Sequence, residues 1–288
     1  RYIPGVKIPD EVVFHKDMAD VLSDKPDIII FAVPSHAVRS VAEIAASKVK
    51  RKAVILSCTK GLEEGTYLRM SQVITKCMPK TYPVIPLSGP THAEEVAIGL
   101  PSAIVAASRK KKMTSFIQNA ISTPTLRLYT NTDIVGVEYA ASLKNIIAIA
   151  GIAEGLGYGD NTKSALITRG LAEMVRFGKK FGAKERTFYG LAGLGDLVTT
   201  CTSSFGRNRK LGLLIAKGTP LKEAITSIGQ VCEGVKATLV TREIALQKKI
   251  EMPITLEIYN VLFENKTPKD ATISLMERTV KREDWGHA

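Results

Sequence analysis

A lysine in a helix with no polar face is a candidate for proton chemistry, and Lys144 occupies such a place. The run Val137-Glu138-Tyr139-Ala140-Ala141-Ser142-Leu143-Lys144-Asn145-Ile146-Ile147-Ala148-Ile149 is apolar on almost every side, the pattern of a helix buried all round. Burial disfavours an ammonium and lowers its pKa toward neutrality, where a lysine can serve as general acid or base. The plainer alternative is a lysine whose stem snorkels to the edge of a domain. Asp196 ends the glycine-dense segment Gly190-Leu191-Ala192-Gly193-Leu194-Gly195. Its carboxylate can orient such a lysine or simply cap the helix that follows. Gly206-Arg207-Asn208-Arg209-Lys210 gathers two guanidinium forks and an amide, a set that suits a phosphate group, with a solvated basic turn as the alternative.

These residues need elements to bring them together. Continuous apolar runs at Val12 to Phe14, Asp27 to Val33, Ala53 to Cys58, Pro83 to Leu87, Ser102 to Ala106 and Thr125 to Tyr129 alternate with helical spacing at Val38 to Ala46 and Tyr67 to Lys76. Strand-helix-strand repetition with apolar strands predicts an α/β fold whose parallel sheet is covered on both faces. After about Thr132 the strand signals stop and long helices follow. The expected division is therefore an α/β domain over 1–132 and an all-helical domain over 133–288. Ligands bind off the carboxyl ends of parallel strands. That places Pro34-Ser35-His36, Thr59-Lys60-Gly61 and Ser88-Gly89-Pro90-Thr91 at the expected cleft, although Gly61 and Gly89 can also serve only to turn the chain.

Composition narrows the classes. The 288 residues carry 45% hydrophobic and 24% charged side chains and a net charge of +12, an ordinary globular balance with a liking for anions. Four widely spaced cysteines exclude a disulfide scaffold and predict a reducing, cytoplasmic setting. The longest apolar stretch, Ile146 to Ala153, is far below the roughly 20 residues of a membrane span, so no membrane insertion is expected. His15, His36, His92 and His287 do not stand at metal-ligand spacing, and no HExxH, GxSxG, Walker A or GxGxxG occurs. Arg109-Lys110-Lys111-Lys112 lacks interleaved aromatics, which marks a solvated surface and no nucleic-acid site.

Together, Phe31-Ala32-Val33-Pro34-Ser35, Thr59-Lys60-Gly61, Leu87 to Thr91, Leu143-Lys144-Asn145, Gly155 to Asn161, Ala165 to Met174, Gly190 to Asp196, Arg207-Asn208-Arg209 and Gly229 to Gly234 resemble the bacterial NAD(P)-dependent glycerol-3-phosphate dehydrogenases. The resemblance covers essentially the whole chain. It implies a Rossmann-like sheet domain followed by a helical domain, a homodimer, and interconversion of sn-glycerol 3-phosphate and dihydroxyacetone phosphate with NAD(H) or NADP(H), at the entry to phospholipid synthesis. The resemblance puts the proton acceptor at Lys144, with Lys60 polarising the carbonyl and Asp196 holding Lys144. It implies substrate contacts at Lys60, Gly89, Thr91, Lys144, Asp196, Gly206, Arg207 and Asn208, and cofactor contacts at Pro34, Lys60, Ala93, Arg207, Val231 and Glu233.

Three departures from the family pattern stand out. The sequence begins at Arg1, within the Tyr2-Ile3-Pro4-Gly5 segment, downstream of the strand and glycine-rich turn that normally hold the dinucleotide pyrophosphate, so the sheet domain is expected to be incomplete. Ile149-Ala150-Gly151-Ile152 is one residue shorter than usual, which in an unbroken helix turns everything downstream by about 100°, so a local rearrangement is expected. Gly206 stands where a serine is common. The competing readings are a dehydrogenase of similar plan for another hydroxy acid or sugar nucleotide, a non-catalytic binding chain, and a basic nucleic-acid binder.

Overall fold

The computed structural model describes residues 3, 5–78, 83–280 and 282–283; Tyr2 and Pro4 of the opening loop and His287 lie outside them. Five strands form one sheet in the order β1 (Ile28–Phe31), β2 (Val54–Ser57), β3 (Val84–Ser88), β4 (Ser102–Ala107), β5 (Leu126–Asn131). The helices of this half are α1 (Met18–Ser23), α2 (Val38–Lys48), α3 (Met70–Cys77), α4 (Ala93–Ala97) and α5 (Lys111–Ile121). β2 is buried at every residue, as its unbroken apolar sequence requires. Ile55 sits in register with Ile29 on one side and Val84 on the other, so the loops carrying Ser35, Lys60 and Thr91 leave the same edge of the sheet.

The structure corrects three expectations. Val12 to Phe14 are exposed and form no strand. Apolarity alone cannot make a strand when no neighbour satisfies its backbone groups, and β1 pairs only with β2 among the described residues. The sheet is not wholly parallel either, because β4 runs antiparallel to β3, with Leu87 opposite Ala106. The link between them holds only the five-residue α4, too short a crossover to restore the strand direction. The helix expected from Tyr67 starts at Met70, since Leu62 and Arg69 form a bridge and Tyr67 takes a φ of 58°.

From Ile134 onward the chain is helical: α6 (Ile134–Ile149), α7 (Gly151–Gly155), α8 (Asp160–Lys180), α9 (Glu185–Phe188), α10 (Asp196–Thr202), α11 (Arg207–Ala216), α12 (Leu221–Ile228), α13 (Glu233–Lys248), α14 (Pro253–Phe263) and α15 (Pro268–Met276). α6 is the axis. Every residue from Gly136 to Ile149 is buried, under α8, α10, α11 and α13 on the helical side and β3 on the other. Phe177, Phe188, Leu197, Leu211 and Val240 close around it with no exposed surface. Each such side chain contributes about 1.5–3 kcal/mol relative to an exposed one. The stretch Ile134–Gly155 is long and apolar enough to cross a membrane by length and composition, yet 78% of its apolar window is buried inside the protein.

The segment around Ala150, where a local rearrangement was expected, is where the axis breaks. α6 stops at Ile149, Ala150 turns tightly with its N–H on Ile147 O at 2.9 Å, and α7 starts anew with Ala153 N–H on Ala150 O. Two glycines let α11 cross against this break. A Cβ on Gly212 would lie 2.2 Å from Ile149 O, and one on Gly151 would lie 2.7 Å from Arg209 O. This close approach delivers Asn208 to Asn145. Gly212→Ala is therefore expected to destabilise the protein by about 1–3 kcal/mol through overpacking against backbone; an unchanged denaturation midpoint in urea would show that the crossing has slack.

Candidate active site

A cavity of about 1200 Å³ opens between the carboxyl edge of the sheet and the helical domain. At its base lies one carboxylate shared by two ammonium groups. Lys144 Nζ donates to Asp196 Oδ1, and Lys60 Nζ donates to Asp196 Oδ2 at 2.7 Å. The side chains of Asp196 and Lys144 are only 3% and 6% exposed, and that of Lys60 is 23% exposed. Lys144 also donates to Thr200 Oγ1 at 2.6 Å, and the Thr200 hydroxyl donates to the backbone oxygen of Asp196 at 2.6 Å. Ser88, at the end of β3, adds a long hydrogen bond of 3.4 Å to Asp196 Oδ2.

Each member arrives by a different route. Lys144 projects from the buried axis α6. Lys60 follows β2 and is steadied by Gly89 O at 3.3 Å, an oxygen that also accepts from Thr91 Oγ1 at 3.2 Å. Gly89 itself is not on the cavity wall; a Cβ there would sit 2.8 Å from Ala103 O. Asp196 begins α10 after a wide turn in which Gly195 N–H reaches Gly190 O at 3.2 Å, a geometry frequent at functional sites. Gly195 holds the cap position, and among the described residues the Asp196 carboxylate accepts from side chains only, those of Lys144, Lys60, Thr200 and Ser88. The capping alternative is thereby set aside, and so is a Lys144 that snorkels to an edge.

The electrostatics follow from this burial. Desolvation, reinforced by the Lys60 charge, brings the Lys144 ammonium down to about 7 against the opposing pull of Asp196. Burial works against ionisation of Asp196, but the two cations outweigh it and hold its carboxyl below the usual range. Lys144 is thus the member of the group poised to exchange a proton near neutral pH.

Of the expected residues, Pro34, Lys60, Thr91, Ala93, Lys144, Asp196, Gly206, Arg207, Asn208, Val231 and Glu233 line this one cavity. The basic cluster at 206–210 divides. Arg209 turns away, its Nε donating to Glu154 Oε2 at 2.9 Å. Arg207 is exposed on the cavity wall and makes no hydrogen bond or ion pair with any described residue. Asn208 is buried and braced, donating to Asn145 Oδ1 at 3.0 Å and accepting from Gly234 N–H at 3.1 Å. Gly206 is dictated by its neighbours, since a Cβ there would meet Thr200 O at 2.8 Å and Ser203 O at 3.1 Å.

Sequence reasoning gave no role to Thr200 or His92, and it placed Ser88 in a cleft loop without foreseeing its bond to Asp196. Thr200 stands four residues beyond Asp196, on the same helix face, which was the available signal. His92 also lines the cavity, and burial together with the Lys144 charge holds its imidazole below the usual histidine range.

The shared carboxylate has a stability signature. Folded Lys144 loses its proton near 7 and an unfolded lysine near 10.5, so between those values the unfolded chain binds more protons and this group's contribution to stability rises with pH. Asp196→Asn leaves the two cations facing one another. The expected loss is about 3–5 kcal/mol well below pH 7 and smallest from pH 7 upward, where Lys144 is neutral in both proteins. Urea unfolding at both pH values measures it, and undiminished stability of the variant under acidic conditions would contradict the charge arrangement.

Comparison with known proteins identifies the family. Residues 1–114 match the family model described as NAD-dependent glycerol-3-phosphate dehydrogenase N-terminus, and residues 133–273 match the one described as its C-terminus. The chain is 46% identical to the glycerol-3-phosphate dehydrogenase [NAD(P)+] of Clostridium tetani over 98% of its own length and 81% of the relative's. It is 48% identical to that of a Thermoanaerobacter species over 98% and 84%. The crystal structure of glycerol-3-phosphate dehydrogenase from Coxiella burnetii superposes with a TM-score of 0.92 at 38% identity, over 96% of this chain and 84% of that one. With a matching sheet domain, a matching helical domain and a cavity between them, the chain belongs to the NAD-dependent glycerol-3-phosphate dehydrogenase family.

Proposed function

We propose that this cavity interconverts sn-glycerol 3-phosphate and dihydroxyacetone phosphate, with Lys144 as the acid-base group. The observation that carries this is the buried Lys144 ammonium, held by Asp196 and Thr200 beside Lys60 and titrating at about 7. In the reductive direction, C2 of the ketone gains a hydride and its oxygen becomes an alkoxide, which takes the proton from Lys144 Nζ. Lys60 stabilises the growing negative charge on that oxygen, and Asp196 holds both amines in place. Oxidation runs the same steps backward, with neutral Lys144 accepting the hydroxyl proton.

The phosphate is assigned to Arg207, whose exposed fork, without a partner among the described residues, lines the cavity, with Asn208 and Gly206 shaping the pocket beside it. Gly89 and Thr91 contribute by steadying Lys60. Binding the phosphate away from C2 lets remote binding energy orient the reacting carbon. Pro34, Lys60, Ala93, Arg207, Val231 and Glu233 would hold NAD(H) or NADP(H). They fit such a group, since exposed apolar surface at Ala93 and Val231 stands next to two cations in one cavity. Bound NAD(P)H supplies the hydride.

The remaining assignments follow the family. The chain divides at 132/133, works as a cytoplasmic homodimer without membrane insertion, and supplies glycerol phosphate for phospholipid synthesis. Four free thiols support the reducing compartment.

Three outcomes test this reading. The intact protein is expected to oxidise NAD(P)H only when dihydroxyacetone phosphate is present. Lys144→Met should lower kcat by about 10²–10⁴-fold with circular dichroism unchanged, and wild-type turnover in that variant would remove Lys144 from the chemistry. Because reduction needs protonated Lys144 and oxidation needs the neutral amine, kcat should fall through about pH 7 in the first direction and rise in the second. Parallel profiles in the two directions would assign the proton to another group.

A further inference from the structure

Besides the amine-carboxylate cluster, which already links the two domains through Lys60 and Asp196, a further contact joins them. Glu233, the first residue of α13, reaches the loop after β1. Its Oε1 accepts the backbone N–H of Ser35 at 3.0 Å, and its Oε2 accepts the Ser35 hydroxyl at 2.6 Å. These are the only hydrogen bonds that Glu233 makes among the described residues, and no described Lys or Arg pairs with it. Ser35 is 5% exposed and does not line the large cavity, whereas its neighbour Pro34 and its acceptor Glu233 both do. Gly61 closes the far side of Ser35. It has a φ of 151°, and a Cβ there would stand 2.7 Å from Ser35 Cβ and 3.5 Å from Glu233 Oε2. A side chain at 61 would therefore push the serine off the carboxylate.

The contact leads back to the base of the cavity. Gly234, next to Glu233, donates to Asn208, which donates to Asn145 beside Lys144. The first turn of α13 is thus pinned at one end to the sheet domain and at the other to the axis helix. The same turn also holds Glu64 of the sheet domain through Lys236 Nζ at 3.3 Å, so Ser35 and Glu64 are its described partners across the cleft.

We propose that Ser35 is a positioning residue for cofactor binding: its two hydrogen bonds to Glu233 set the Val231–Glu233 wall of the cavity at the spacing from Pro34 and Lys60 that a nicotinamide dinucleotide requires. The proposal rests on the reading that Val231 and Glu233 contact NAD(P)(H). It gives Ser35 no contact with either substrate, and so predicts an effect on one of them only. Packing at this point explains the residue choice: serine supplies a second donor in a space that Gly61 keeps open and that a larger side chain would fill.

The test uses the intact enzyme and steady-state kinetics with both substrates varied. Ser35→Ala keeps the backbone donor and removes the hydroxyl. Losing one hydrogen bond to a charged group should raise KM for NAD(P)H about tenfold and leave KM for dihydroxyacetone phosphate within about twofold. The pH midpoint of kcat should not move. Ser35→Cys, of similar volume with a weaker donor, should fall between the two, and keeps the test available if the alanine variant folds poorly. Glu233→Ala alone should raise the cofactor KM, and adding Ser35→Ala to it should change nothing further, because the serine acts only through that carboxylate. An unchanged cofactor KM in Glu233→Ala overturns the reading of Glu233 and the proposal with it. A raised value there with no change in Ser35→Ala overturns the role of Ser35 alone. Equal rises in both KM values, or additive effects in the double variant, would mark Ser35 as fold-stabilising only and also overturn the proposal.

Discussion

One buried carboxylate between two ammonium groups governs this structure. Asp196 is nearly inaccessible, and it serves Lys144 and Lys60 through separate oxygens. Removing three charges from water is costly, and that cost is offset only when geometry and supporting hydrogen bonds are good. Thr200, Ser88 and the Gly89 carbonyl supply that support. The arrangement carries two positive charges on one negative, so one proton is held less firmly than the others. Lys144, the more deeply buried of the two lysines, is the one that loosens, through desolvation first and the neighbouring Lys60 charge second.

The rest of the fold can be understood as what keeps that cluster dry at one end and open at the other. α6 is apolar all round because it must carry a lysine away from bulk water. Its break at Ala150 and the bare backbone of Gly151 and Gly212 let α11 come close enough to present Asn208 inside and Arg207 outside. The Arg209–Glu154 pair anchors α11 to α7 from behind. Three loops from one edge of the sheet close the other wall, which is why the parallel register of β1, β2 and β3 matters for chemistry as well as for packing.

Much of this was legible in the sequence where burial dictates pattern. The unbroken apolar runs of β2 and β3 and the all-round apolarity of α6 left little choice of structure, and Lys144 declared itself by interrupting that pattern. What pattern could not convey was partnership. Val12 to Phe14 has a strand's composition, but a strand depends on a neighbour, and none pairs with it among the described residues. Asp196 lies 52 residues from Lys144, and its choice of a lysine over a helix cap is a tertiary fact. Arg207 and Arg209 are indistinguishable by type and differ only because Glu154 captures one of them. Gly206 is required for a reason visible only in three dimensions, the backbone oxygens that crowd its Cβ position.

The most direct test of the account is the protonation of Lys144 itself. Nuclear magnetic resonance of the intact protein labelled with ¹⁵N at lysine Nζ, with the Lys144 signal assigned by its loss in Lys144→Met, follows that titration without reference to turnover. The account predicts a midpoint near pH 7, well below the ordinary lysine value of 10.5. A midpoint at or above that ordinary value would mean that Asp196 compensates burial completely, and that Lys144 is a fixed cation in this site with no proton to exchange.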